Sequence, residues 1–341
     1  MRRALLVLAA LVATLVAGCG ETTVVREGTM SVSNAAPPSP KNDARAPDSR
    51  AVRIAMVTHG QASSPFWAIV RHGAEQAAQQ TDVILDYRAP DIYSLARMKT
   101  MIAQAVASHP DGLVVSIPEP GLGSVIRRAV RAGIPTISIN SGSTEAKRLG
   151  VLAHVGQPEE RAGYEAGRRL AARGVRRALC VNQQVGNQGL DARCSGLERA
   201  MRQNGGSSRV LGVDDQDPGT AAKISTAVRD DHIEGVLTLN ATTGLEAVEG
   251  LGTLGHASGI PIGTFDLGPD VLKAVQSGRL VFAIDQQAYL QGYLPVSLLA
   301  QRARYGLFPA RHRGAVIPTG PKFVTARDAG RVIELSKRSI R

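Results

Sequence analysis

The run Val52-Arg53-Ile54-Ala55-Met56-Val57, followed by Ser64-Pro65-Phe66-Trp67, decides the fold prediction for this 341-residue chain. The first run is short, apolar and rich in β-branched residues, as a strand covered on both faces is. Directly behind it, the only tryptophan stands beside one of five phenylalanines. Ligands of open parallel α/β sheets bind at the carboxyl ends of the strands. The pair Phe66-Trp67 therefore predicts either a face for stacking a sugar ring or the apolar start of a helix that packs into the core.

Short apolar runs alternate with longer helix-like segments as far as residue 285, which is typical of parallel sheets covered by helices. The ten runs are Val52–Val57, Val83–Asp86, Gly112–Ile117, Pro135–Ile139, Val151–Val155, Arg177–Val181, Val210–Val213, Gly235–Leu239, Pro261–Phe265 and Leu280–Ile284. Ten strands exceed the usual single sheet, and the pattern restarts near Gly156. We therefore predict an α/β fold with two doubly wound parallel-sheet lobes.

The N-terminus has the organisation of an export signal. Met1-Arg2-Arg3 is basic, residues 4–16 are apolar, and Val16-Ala17-Gly18-Cys19 resembles a bacterial lipobox. We expect residues 1–19 to be a lipoprotein signal peptide with lipidation of Cys19; an ordinary cleaved signal with a chance cysteine is the alternative. Residues 20–50 are rich in proline and polar residues, and they predict a flexible tether.

Cys180 and Cys194 would lie in an oxidising compartment after export, where disulfides persist. They would either form a disulfide or remain two buried thiols. Two cysteines without nearby histidines do not have the spacing of a metal site, so we expect no metal and no cofactor.

The net charge of +11 raises the question of nucleic-acid binding. The arginines are spread over helix-like segments and do not alternate with aromatic residues, which favours a solvated basic surface. The sequence contains no Gly-x-Ser-x-Gly elbow, no His-Glu-x-x-His motif and no phosphate-binding loop. We therefore expect no nucleic-acid partner and no catalytic residues.

Polar side chains recur at the carboxyl ends of the predicted strands. The candidate ligand-binding residues are Ser64, Phe66, Trp67, Asn140, Ser141, Asn187, Asp191, Arg193, Asn240, Asp266 and Gln286. Their amides, carboxylates and guanidinium group both donate and accept hydrogen bonds, as a polyhydroxylated ligand requires. Any single Asn or Asp could instead cap the helix that follows it.

Residues 51 to about 320 resemble the type I periplasmic sugar-binding proteins, the ribose-binding group. The resemblance rests on Ser-Ser-Pro-Phe-Trp at 63–67, Ile-Ser-Ile-Asn-Ser at 137–141, Asp-Ala-Arg-Cys-Ser-Gly at 191–196, Leu-Thr-Leu-Asn at 237–240, Gly-Thr-Phe-Asp at 263–266 and Ala-Ile-Asp-Gln at 283–286. It implies that Phe66 and Trp67 stack on a monosaccharide held between two lobes with a three-stranded hinge. Ser64 and Asn140-Ser141 depart from the ribose-binding pattern, which leaves other sugars and inositol-like polyols open.

The resemblance also implies the lobe boundaries and the partners. The first lobe would comprise 51–156 plus 287–316, and the second 157–286 plus 317–341. The expected function is an extracytoplasmic, lipid-anchored receptor that passes a monosaccharide or polyol to the permease of an ABC importer. The alternatives are a sensor that presents its closed form to a membrane receptor and, less favoured, a sugar-acting enzyme.

Overall fold

The structure, a computed structural model, describes residues 51–60, 64–214, 217–253, 259–336 and 340. The predicted signal peptide, Cys19 and the predicted tether lie outside these residues. The described strands form two six-stranded sheets with the orders β11-β5-β4-β3-β1-β2 and β12-β10-β9-β8-β6-β7. Among the described residues, neighbouring strands run parallel except for β12, which runs antiparallel to β10. The predicted α/β fold with two parallel-sheet lobes is confirmed.

The helices and strands follow one another as in two successive doubly wound units. The first sheet and its helices comprise β1 Arg53–Val57, α1 Pro65–Gln80, β2 Ile84–Arg88, α2 Leu95–Ala107, β3 Gly112–Ser116, a 3₁₀ turn Pro120–Leu122, α3 Gly123–Arg131, β4 Thr136–Ile139, α4 Ser143–Leu149, β5 Ala153–Gly156, α10 Ala288–Tyr305 and β11 Ala315–Pro318. The second comprise α5 Glu159–Ala171, β6 Arg177–Asn182, α6 Gln188–Gln203, β7 Ser207–Gly212, α7 Thr220–Asp230, β8 Gly235–Thr238, α8 Ala241–Gly252, β9 Ile262–Phe265, α9 Pro269–Gln276, β10 Phe282–Asp285, β12 Lys322–Val324 and α11 Ala326–Ser336.

Helices cover both faces of each sheet. Alternate residues of a strand point to opposite faces, so they join different cores. In β1, Ile54 and Met56 join the core that contains residues of α1 and α10. Ala55 and Val57 join the core that contains residues of α2 and α3. This two-sided burial explains why the strands are continuous apolar runs in the sequence.

The chain passes between the two sheets three times. The crossings follow β5, β10 and β11, at residues 157–158, 286–287 and 319–321. They form the predicted three-stranded hinge. β11 pairs with β5 through Pro318, two residues beyond the predicted end of the first lobe at 316.

Five elements lie outside the predicted pattern: α4, α10, α11, β11 and β12. Helix α10 carries Pro295 and Gly292 and is apolar on much of its circumference, so it lacks the narrow apolar stripe that indicates a helix. β11 and β12 have only four and three residues, which is too short for a clear period of two. The two strands β11 and β12 are therefore recognisable only from the completed sheets.

A disulfide joins β6 to α6, between Cys180 and Cys194. Helix α6 also packs closely on α5. A Cβ atom at Gly163 would lie 1.9 Å from the carbonyl oxygen of Arg193, and one at Gly196 would lie 2.0 Å from that of Glu160. The glycines therefore let the two backbones approach, which brings the side chains at the N-terminal turns of both helices together.

Candidate functional site

A cavity of about 790 Å³ lies at the carboxyl ends of the two sheets and is lined by both lobes. Nine of the predicted site residues line it: Ser64, Phe66, Trp67, Asn140, Asn187, Arg193, Asn240, Asp266 and Gln286. Strand direction brings them together, because each residue follows the carboxyl end of a parallel strand or lies in the first two turns of the next helix.

Ser141 and Asp191 were also predicted to bind ligand, but the structure places neither in the cavity lining. The Ser141 hydroxyl lies 3.0 Å from Oδ1 of Asn187, across the two lobes. Oδ1 of Asp191 accepts a hydrogen bond of 2.9 Å from Nδ2 of Asn182, and its two oxygens accept from the Gly186 amide. Asp191 therefore holds the loop before α6 and does not face the cavity.

Asn140 and Asp266 occupy equivalent positions, the first residue after β4 and the first after β9. Both have left-handed backbone, with φ of +60° and +67°. Asn and Asp tolerate this conformation better than most residues. Their amides still bond to the neighbouring strand, to the carbonyls of Val155 and Ile284. The turn therefore aims both side chains at the cavity without breaking the sheet.

Gln286 in the hinge bonds both of these side chains. Its Nε2 donates to Oδ1 of Asp266 at 2.6 Å, and its Oε1 accepts from Nδ2 of Asn140 at 3.3 Å. Gln291 of α10 donates through Nε2 to Oε1 of Gln286 at 3.1 Å and to the Thr319 hydroxyl at 3.2 Å. One buried network thus connects the first lobe, the second lobe and two of the three crossings.

Arg193 lies under the cavity as half of a buried ion pair. Its Nε and Nη2 donate to the two carboxylate oxygens of Glu159 at 2.7 and 3.1 Å, and Nη1 donates to the Leu239 carbonyl at 3.0 Å. The guanidinium carbon lies 4.2 Å from the centre of the Phe265 ring. A bidentate pair of this kind fixes the plane of the guanidinium group. The N–H groups of Nη1 and Nη2 that do not bond to Glu159 or to the Leu239 carbonyl therefore point in a fixed direction.

Asp266 is buried, and burial raises the pKa of its carboxyl to about 6. The positive charge of Arg193 and the hydrogen bond from Gln286 oppose this rise, whereas Glu159 and Asp285 reinforce it. Glu159 binds Arg193 directly and offsets part of the effect of the guanidinium charge on Asp266. The carboxylate therefore suits neutral hydroxyl donors, which bond strongly to an ionised acceptor.

Aromatic rings form the wall of the cavity on the first lobe. The ring of Trp67 meets those of Phe66 and His59 edge to face, with centroids 5.2 and 4.9 Å away. Tyr93 meets His59 at 5.9 Å. Trp67 is itself buried and belongs to the core, while Phe66 is half-buried. The pair packs into the core and also lines the cavity, and stacking on a sugar ring stays a prediction.

His59 is neutral, because burial lowers the pKa of its ring to about 3. Its Nε2 lies 3.3 Å from Nδ2 of Asn187 in the other lobe. Oδ1 of Asn187 accepts from the Gly189 amide, so its Nδ2 is the donor and His59 Nε2 the acceptor. The ring proton is thus on Nδ1, which lies 2.8 Å from the Ser116 hydroxyl. A neutral imidazole therefore connects the lobes.

Asn240 combines a helix cap with a place in the cavity. Its Oδ1 accepts from the Thr243 amide at 2.9 Å at the start of α8, as the capping alternative predicts. It also lines the cavity. Asp266, in contrast, is not the cap of α9, whose N-cap is Gly268.

The predicted site residues do not include several side chains that line the cavity. Among them are His59, which follows β1, and Gln183, which lies in the loop after β6. Asp91 and Tyr93 follow β2 and line the cavity. Their position after the carboxyl end of β2 is the same signal in the sequence that predicts Asn140 after β4. Oε1 of Gln183 is buried and has no hydrogen-bond partner among the described residues.

Within the described residues, no group of three His, Cys, Asp or Glu side chains is placed to hold a metal ion. The titratable side chains of the cavity are dispersed among amides and aromatic rings. The arrangement is that of a binding cleft with polar groups at defined positions.

Residues 54–306 match the family model of the periplasmic binding protein domain. A carbohydrate transporter from Acidothermus cellulolyticus 11B, crystallised with myo-inositol, is 34% identical, with a TM-score of 0.79 over 86% of this chain and all of that one. The xylose/arabinose-binding protein XylF of Sulfolobus acidocaldarius is 25% identical over 86% of this chain and 76% of its own length.

A solute-binding protein from Burkholderia graminis C4D1M, crystallised with D-arabinose, is 22% identical. It superposes with a TM-score of 0.73 over 82% of this chain and 97% of that one. At 22% identity, this superposition shows only that the two proteins share a fold.

Proposed function

Because the chain belongs to the periplasmic binding protein domain family, we propose that it binds a neutral monosaccharide or cyclic polyol in the cavity between its lobes and delivers it to an ABC importer. The observation that carries the proposal is the pairing of an aromatic wall with hydrogen-bonding groups from both lobes around one cavity. A sugar ring has an apolar C–H face and a polar hydroxyl rim, and this cavity offers a partner to each.

The hydroxyl partners are Asp266, Gln183 and Arg193 on the second lobe and Asn140 on the first. Asp266 accepts through its carboxylate, and Gln183 through the buried Oε1 that lacks a partner among described residues. Arg193 donates from a guanidinium group held by Glu159. Myo-inositol, which the 34% identical carbohydrate transporter was crystallised with, is the first polyol to test.

Lobe closure is the step that couples binding to delivery. Ligand that contacts Asn140 and Asp266 together gains bonds that are available only when the lobes are close, so it stabilises the closed form. The three crossings at the hinge permit such a motion. The closed pair of lobes is then the surface that a permease recognises. Catalysis is not part of this proposal.

The proposal places the protein on the outer face of the cytoplasmic membrane. Its support is the basic start, the apolar run and the small residues before Cys19. No helix among residues 51–60, 64–214, 217–253, 259–336 and 340 has the length and hydropathy to cross a bilayer. Lipidation of Cys19 would supply the attachment, and Cys19→Ala should move the protein from the membrane fraction to the soluble one.

Thermal unfolding tests the ligand class. A ligand at about 100 times its dissociation constant adds roughly 2.7 kcal/mol to the free energy of unfolding if it binds only the folded state. Inositols, pentoses, hexoses and amino acids are compared at equal concentration. A raised melting temperature with a polyol supports the proposal, whereas a shift with an amino acid alone overturns it.

A further inference from the structure

Exposed cations cluster on the first lobe at the end of the sheet opposite the cavity. Helices α3 and α4 run back from the carboxyl ends of β3 and β4, so their last turns lie at the amino ends of the strands. The cluster, here called the basic end, comprises Arg128, Arg131, Lys147, Arg148, Arg311 and Arg313. All six side chains are exposed.

Packing makes these residues neighbours. Nη1 of Arg313 donates to the carbonyl of Gly150, the residue that ends α4, at 2.8 Å. A Cβ atom at Gly314 would lie 2.5 Å from the Cα of Lys147. Helices α3 and α4 also pack on each other. The loop before β11 and the ends of the two helices therefore form one continuous surface.

The basic end has little compensating negative charge. Arg148 pairs with Glu145, and within the described residues none of the other five has a carboxylate within 4.0 Å. At the corresponding end of the second lobe, Arg177 pairs with Glu234 and Arg209 with Asp231, whereas Arg168, Arg173 and Arg279 are exposed and have no carboxylate within 4.0 Å among the described residues.

We propose that the basic end binds the anionic headgroups of a phospholipid bilayer. A patch of exposed Lys and Arg is attracted to anionic lipids within a Debye length of the surface. Strand β1 starts at Arg53 at this same end of the sheet, so the segment that carries Cys19 joins the lobe there. The inference rests on the proposed function only for its membrane location.

Binding to vesicles tests the basic end directly. The mature chain from residue 20, which lacks the predicted signal peptide and Cys19, is mixed with phosphatidylcholine vesicles that contain either no phosphatidylglycerol or about one third of it. Three proteins are compared by co-sedimentation: this parent, its variant R128Q/R131Q/K147Q/R311Q, and the control R168Q/R173Q/R279Q/R331Q. The control removes the same charge from exposed arginines of the second lobe that have no carboxylate within 4.0 Å among the described residues.

We expect phosphatidylglycerol to strengthen binding of the parent and the control, and the four substitutions in the basic end to weaken it at least about tenfold. Added salt at about 0.5 M should remove the difference. Equal loss in both variants would show an effect of net charge alone and would overturn the proposal, as would indifference to phosphatidylglycerol. Polyol binding, measured on the same three proteins, should be equal in all of them, so a failure of the ligand proposal is seen separately.

Discussion

Gln286 and Asp266 are joined by a buried hydrogen bond of 2.6 Å, and the same Gln286 side chain accepts a bond from Asn140 of the other lobe. The two residues that follow β4 and β9 are therefore connected through one amide in the hinge. A change in the charge of Asp266 therefore affects the hydrogen bonds that connect the two lobes through Gln286.

The carboxyl of Asp266 should make the stability of the protein depend on pH. Burial raises its pKa to about 6 in the folded protein, above the value of about 3.9 in an unfolded chain. The folded state then binds the proton more tightly, so the free energy of unfolding falls as pH rises through this range. Relative to Asp266→Asn, the native protein should lose about 2–3 kcal/mol between pH 4 and pH 7. Urea unfolding of both proteins at several pH values measures this, and parallel profiles would contradict it.

Gly60→Ala should displace Trp67. A Cβ atom at Gly60 would lie 1.6 Å from Nε1 of the indole, so the ring must leave its position against His59. Because Trp67 is the only tryptophan, its fluorescence spectrum reports the movement. We expect a shifted spectrum and at least about tenfold weaker polyol binding. Gly330→Ala, where the added Cβ meets nothing within 4 Å, is the matched control and should leave both unchanged.

Glu159→Gln should destabilise the protein strongly. It leaves the buried guanidinium of Arg193 without its counter-charge, a change that costs about 3–5 kcal/mol. Glu165→Gln breaks the exposed pair with Arg161 and should cost less than about 1 kcal/mol. Denaturant unfolding of both variants compares the two costs. A similarly small loss of unfolding free energy in both variants would contradict this prediction. It would mean that Arg193 binds water or another side chain when Glu159 is replaced.

Replacing the disulfide should loosen the second lobe. Cys180 and Cys194 are separated by 14 positions, and a closed loop of this size stabilises the folded state by about 3 kcal/mol. The Cys180→Ala/Cys194→Ala variant should lose about that much free energy of unfolding. An unchanged midpoint in urea under oxidising conditions would contradict this expectation.

The sequence predicted the two lobes and most of the cavity because both follow from the direction of parallel strands. It could not show which of two adjacent polar residues faces the ligand. Asn140 lines the cavity because its backbone is left-handed, and this turns Ser141 toward Asn187. Asp191 and Arg193 are two positions apart on α6, so they point to different sides of the helix and only Arg193 lines the cavity.

Two lining contacts depend on the packing of the whole molecule. The role of His59 follows from its position between Trp67 and Tyr93 and opposite Asn187, which lies 128 residues away in the chain. The bond of Arg193 to Glu159 follows from the close contact of α5 and α6 at Gly163. Neither contact has a local sequence pattern.

Calorimetric titration of the native protein and Asp266→Ala with myo-inositol, followed by other neutral polyols, tests the central claim most directly. Asp270→Ala, which removes an exposed carboxylate on α9, is the control. We predict saturable binding by the native protein and the control, weakened by at least about 2 kcal/mol in Asp266→Ala. Equal affinity in all three proteins, or no binding of any neutral polyol by the native protein, would contradict the assignment of this cavity as the site.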